Sequence, residues 1–101
     1  GLTIHVPDKG QVFSVVDLSA MGLAFMDRSQ GFSVGQIIVC DLLINKKVFL
    51  SELNIKVMRT TKEGLVGCDF EGVNRRQEVR LDKLVLEVQK RMIALKKKAQ
   101  E

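Results

Sequence analysis

From Leu2 to Phe70 the apolar residues fall into six short blocks rich in Val, Ile and Phe, and this spacing constrains the fold more than any other feature. The blocks are Leu2–Val6, Val12–Leu18, Leu23–Met26, Gln36–Ile44, Lys47–Thr60 and Leu65–Phe70. Most are too short for helices, and the gaps between them hold Gly, Asp, Asn and Lys, so each block reads as a strand. Pro7–Gly10, Asn45–Lys46 and Thr61–Gly64 read as tight turns, which makes antiparallel neighbours the economical arrangement. In the longest block Leu53, Ile55 and Val57 share one parity while Val48 and Leu50 lie on the other. A bulge or bend near Ser51 and Glu52 reconciles the two phases.

After Phe70 the period changes. Leu81, Leu84, Val85, Val88, Met92 and Leu95 recur every three or four residues with charged residues between them, the pattern of one amphipathic helix over about 75–98. Asn74 with Gln77 three residues on reads as its start, and Lys96–Lys98 complement its negative pole. The expected fold is therefore all-β, a small antiparallel barrel or sandwich over about 2–72, with one C-terminal helix as a lid. Leu81 to Val88 should cover an open barrel end. Met92, Ile93 and Leu95 extend beyond what so small a barrel can bury, a face suited to a homodimer or to a neighbouring domain or partner protein. The chain reads as a single domain cut from a longer protein.

Composition narrows the function. At 101 residues and 46% hydrophobic the chain can bury a core. No apolar run reaches the roughly 18 to 20 residues of a membrane span, so a cytoplasmic protein without membrane insertion is expected. The net charge of +4 suits an anionic ligand, but with no Trp, no Tyr and five Phe the chain lacks stacking platforms for a nucleic-acid polymer. Cys40 and Cys68 read as buried thiols, with a disulfide between them the less favoured alternative. One histidine, His5, and no CxxC spacing leave no metal site and no cofactor to expect. No serine has a nucleophile's setting and there is no phosphate-cradling glycine loop, so the chain is not expected to be an enzyme and has no catalytic residues.

One stretch carries the functional argument: DLSAMG, Asp17–Gly22, between the second and third blocks. On residue types alone, Asp17 and Ser19 cap backbone amides in a turn that Gly22 closes with positive φ, or else they meet a small polar ligand. Downstream follow FSVGQIIVCDLL, LNIKVMR, GLVGCDF and the helix. This ordered set closely resembles the PilZ domain family over nearly the whole chain.

The resemblance implies a six-stranded antiparallel β-barrel with a C-terminal helix, and a receptor for the bacterial second messenger cyclic di-GMP that relays its presence to a neighbouring domain or partner. Carried over, the DxSxxG element is Asp17, Ser19 and Gly22. A carboxylate there accepts from guanine N1–H and N2–H₂, a hydroxyl meets phosphate or base, and a glycine permits close approach. Arg59 ends the fifth block where family members often turn a side chain towards the guanine. The family's second element, RxxxR ahead of the first strand, is missing, because no arginine precedes Arg28. Its guanidinium groups would fork onto phosphate and stack on bases, so these 101 residues alone are expected to bind the ligand weakly or not at all. Arg75, Arg76 and Arg80 read as a solvated helix face, with an anion near the helix start as the less favoured alternative. The other functional reading is a PilZ-like adaptor that binds no cyclic di-GMP and serves protein interactions, as in pilus or flagellar motility.

Overall fold

The computed structural model describes the backbone of residues 1–100 and the side chains of residues 1–90. Six strands form: β1 (Leu2–Val6), β2 (Gln11–Leu18), β3 (Gly22–Met26), β4 (Ile37–Ile44), β5 (Lys47–Thr60) and β6 (Leu65–Phe70), followed by α1 (Arg75–Gln100). They close into an antiparallel barrel in the order β1-β2-β3-β6-β5-β4, with β4 returning to β1.

Local chemistry makes the turns. One turn of 3-10 helix, Pro7–Lys9, ends on Gly10 at φ +61° and returns the chain from β1 to β2. Asn45 and Lys46 both take positive φ, as a two-residue hairpin turn requires. The expected bulge in β5 is present: Leu53 pairs Cys40 and Leu50 pairs Leu42, so Ser51 and Glu52 together oppose Asp41. Glu52 takes φ +54° and its N–H donates to Asp41 Oδ1 at 3.2 Å. On the outer surface His5 faces Asp41, a neighbour that only the β1–β4 pairing supplies, with Nδ1 3.6 Å from Oδ2.

Both ends of the barrel are covered. At one, residues 27–36 cross from β3 to β4 and insert Phe32 against Phe13 and Phe25, with ring centroids 5.2–5.5 Å apart. Lys9 lies over the Phe32 ring at 4.2 Å. Beneath this loop is Asp27, 6% exposed, which sequence reading passed over. Its carboxylate accepts from Ser29 N–H and Oγ–H and from Gly31 N–H. Burial alone would raise its pKa; the hydrogen bonds from Ser29 and Gly31 and the charge of Lys9 outweigh that and hold it below the usual carboxylate value.

At the other end α1 buries Leu81, Leu84 and Val85, with Val88 packed at the margin. The helix begins on a reciprocal cap: Gln77 N–H donates to Asn74 Oδ1 at 2.8 Å and Asn74 N–H to Gln77 Oε1 at 3.2 Å. Gln77 Nε2 also reaches the Ser51 and Glu52 carbonyls, fastening the helix start to the β5 bulge. Asn74→Ala should therefore cost about 1 kcal/mol, read as a lower urea midpoint at unchanged slope. The expected overhang of Met92, Ile93 and Leu95 lies outside the described side chains.

Cys40 and Cys68 are free and buried. Burial, with Asp41 and Cys68 adding to it, pushes the Cys40 thiol up to about 12. Burial and then Asp69 do the same for Cys68.

Candidate functional site

The strand register brings the sequence-selected residues onto one outer face. Asp17 pairs Ala24, Ala24 pairs Gly67, and Gly67 pairs Arg59, so one row crosses β2, β3, β6 and β5. Three interstrand steps separate Asp17 from Arg59, about 14 Å along the sheet. Between them the floor is made of the smallest side chains in the row, Ala24 and Gly67. Gly22 and Asp69 form the next pair on this face, two positions along β3 and β6. The cavity over this floor is about 200 Å³, and Asp17, Ser19, Met58, Arg59 and Asp69 are among its lining residues.

Asp17 reaches the face through a bulge: the register slips between Val15 and Asp17, leaving Val16 unpaired. Its Oδ1 accepts the Leu18 N–H at 3.0 Å, and the side chain is otherwise exposed. Ser19 is committed to its own turn. Its Oγ accepts from Met21 N–H at 3.2 Å and Gly22 N–H at 3.3 Å and donates to the Gly22 carbonyl at 3.4 Å, which exhausts a hydroxyl.

Gly22 is required for a reason the sequence did not show. Its φ is not positive. A Cβ there would run into the carbonyl oxygen of Cys68 and come within 2.9 Å of Asp69 Cα, so the glycine lets β3 and β6 approach. Gly67 differs in kind: the Arg59 side chain lies across it, and a Cβ would meet Arg59 Cγ and Nε at 2.9 Å and no closer backbone. Arg59 is thereby laid along the sheet rather than standing off it.

The cavity's charge is acidic on balance, with Asp17 and Asp69 against Arg59. Its flanks are apolar: Met21 is 73% and Met58 48% exposed. Cys68 lines the cavity, but a thiol pushed up to about 12 is protonated near neutral pH and is no nucleophile there. Among the described residues no group of His, Cys, Asp and Glu is arranged to hold a metal ion. The RxxxR spacing does occur once, from Arg76 to Arg80, but on α1 after the last strand and lining a different cavity. Nor is Arg80 part of a solvated face: it is half-buried over the Phe49 ring, 4.6 Å from its centroid.

The fold is a closed antiparallel barrel capped by a terminal helix, with a polar turn and an arginine on one outer face. The PilZ domain family profile matches residues 1–87, and the chain belongs to that family, whose general role is cyclic di-GMP reception. Among solved structures it is similar to the PilZ domain of CeSA from a cellulose-synthesizing bacterium, with TM-score 0.62 and 18% identity over 87% of this chain and 90% of that one. That likeness is one of fold. No curated protein matches the chain. No helix among the described residues is long and apolar enough to cross a membrane.

Proposed function

We propose that this PilZ domain is a non-catalytic cytoplasmic receptor face for cyclic di-GMP, with one guanine lying over Ala24, between Asp17 and the Arg59 side chain that covers Gly67. The observation that carries the reading is the register row that sets Asp17 on one side of the small Ala24 and lays Arg59 over Gly67 on the other. Asp17 then accepts from the base's imino and amino groups and Arg59 lies along its other side, while Ser19 and Gly22 hold the turn and the strand spacing. About 200 Å³ is less than the roughly 300–1,000 Å³ of a usual ligand pocket, so this face takes only part of a dinucleotide. With two carboxylates to one guanidinium it repels phosphates, which need cations from an arginine segment ahead of β1. Binding would bridge that segment to the barrel and change what the domain presents to its neighbour.

Calorimetry tests this. Cyclic di-GMP titrated onto the 101-residue chain should give no micromolar binding. Placing RxxxR ahead of Leu2 should create it, and Asp17→Ala in that background should remove about 1–3 kcal/mol. Unchanged affinity in Asp17→Ala would confine that carboxylate to its turn. Failure of the added arginines to produce any binding would favour the second reading, an adaptor without ligand. What supports that second reading is the cavity's acidic balance and the exposed Met21 and Met58 beside it, which suit a protein partner.

A further inference from the structure

Where α1 starts beside the β5 bulge lies a second cavity, of about 530 Å³. Its walls are polar: Ser51, Glu52 and Asn54 come from β5, and Arg76 and Arg80 from the helix. The two arginines stand one helical turn apart and so share a face. Neither pairs with a carboxylate among the described residues, although Glu52 lines the same cavity. Arg80 rests its guanidinium on Phe49 at 4.6 Å, and its Nε is buried with no hydrogen-bond partner among the described residues.

That Nε lies out of reach of anything in the cavity, so what Arg80 can offer a ligand is the Nη edge of its guanidinium. A guanidinium with one face on an aromatic ring still offers its edge as a fork of N–H donors. The helix terminus itself contributes little: Asn74 Oδ1 already takes the Gln77 N–H, and Gln77's amide is spent on Asn74, Ser51 and Glu52. What the cavity lacks is an acceptor that can meet both arginines at once.

We propose that this cavity is a phosphate-binding site, taking the phosphoryl group of a small ligand between Arg76 and Arg80, with the Nη edge of the Arg80 guanidinium donating to it. A tetrahedral dianion has oxygens enough to bridge two forks, and charge enough to satisfy both beside Glu52. The volume lies within the range of small-ligand sites, so the phosphoryl group can carry more of a molecule with it, against Asn54 and Ser51. The site is independent of the cyclic di-GMP reading, since the two cavities share no lining residue.

The test is an NMR titration of the ¹⁵N-labelled chain, following arginine Nε–Hε signals, with pyrophosphate and, separately, 5′-GMP. The Arg80 signal should shift saturably with at least one probe. Arg80→Lys, which keeps the charge and an aliphatic stem and is followed at the Arg76 signal, should weaken that binding about ten- to a hundredfold, and so should Arg76→Ala followed at the Arg80 signal. Asp17→Ala should leave it unchanged. Tighter binding of 5′-GMP assigns the phosphoryl group to a nucleotide, tighter binding of pyrophosphate to an inorganic source; either supports the site. An Arg80 signal that fails to saturate with both probes, or saturation indifferent to Arg80→Lys, would overturn it.

Discussion

Gly22→Ala is expected to destabilise the barrel by about 3 kcal/mol, a large share of the roughly 5–15 kcal/mol that holds a domain of this size together. The added carbon would meet backbone, the Cys68 carbonyl and Asp69 Cα, and backbone cannot turn aside as a side chain can. Either β3 and β6 separate, breaking a five-residue register from Gly22↔Asp69 to Met26↔Leu65, or the hairpin to β2 distorts. Gly67→Ala is the control: its Cβ meets only the flexible Arg59 side chain, which can swing away at a cost within about 1 kcal/mol. Urea midpoints for the two variants decide the matter. Equal midpoints for Gly22→Ala and the parent chain would show that the strands can give. The result also bears on function, because loss of ligand binding in a Gly22 variant would report a broken barrel before it reported a lost contact.

The second large effect is expected at Asp27. Asp27→Ala strands the Ser29 and Gly31 amides and the Ser29 hydroxyl beneath the 27–36 loop, and should cost about 3 kcal/mol. The pH dependence follows from the direction of the pKa shift. Asp27 has a lower pKa folded than its ordinary 3.8, so the unfolded chain binds the proton more readily. The stabilisation is therefore complete well above pH 3.8 and is lost as pH falls through that value towards the depressed folded pKa. Urea midpoints measured from about pH 7 down to about pH 3 should fall more steeply for the parent chain than for Asp27→Asn, which has no proton to take up there. Parallel curves would mean that the carboxylate's charge contributes nothing.

Much of the architecture was legible because its causes are local. The bounds read for β1, β5 and β6 are those observed, since Pro7–Gly10, Asn45–Lys46 and Thr61–Gly64 are turns by their own chemistry. The Ser51–Glu52 bulge showed as a parity change within one strand, and the helix start as a cap three residues long. Asp27 was missed although a signal existed. Asp27, Ser29 and Gly31, just after a strand, are the material of a side-chain-capped turn, but nothing local says that Phe32 will fold over it and bury it. Arg80 was misread for a related reason: its place on the helix suited a solvated face, and only the docking of α1 on the barrel brings Phe49 beneath it.

By itself, then, the sequence determined the strand-like blocks, the turns between them, the switch to a helix and the DxSxxG turn, all of them interactions among residues a few positions apart, while the count of six strands came with the family resemblance. Only the tertiary structure decided that Asp17 and Arg59 stand on one row, that Gly22 serves the contact of β3 with β6, and that Arg76 and Arg80 line a cavity without a carboxylate partner among the described residues. Each of these depends on which strands close the barrel and in what register, and that is set by packing one common core from residues far apart in the chain.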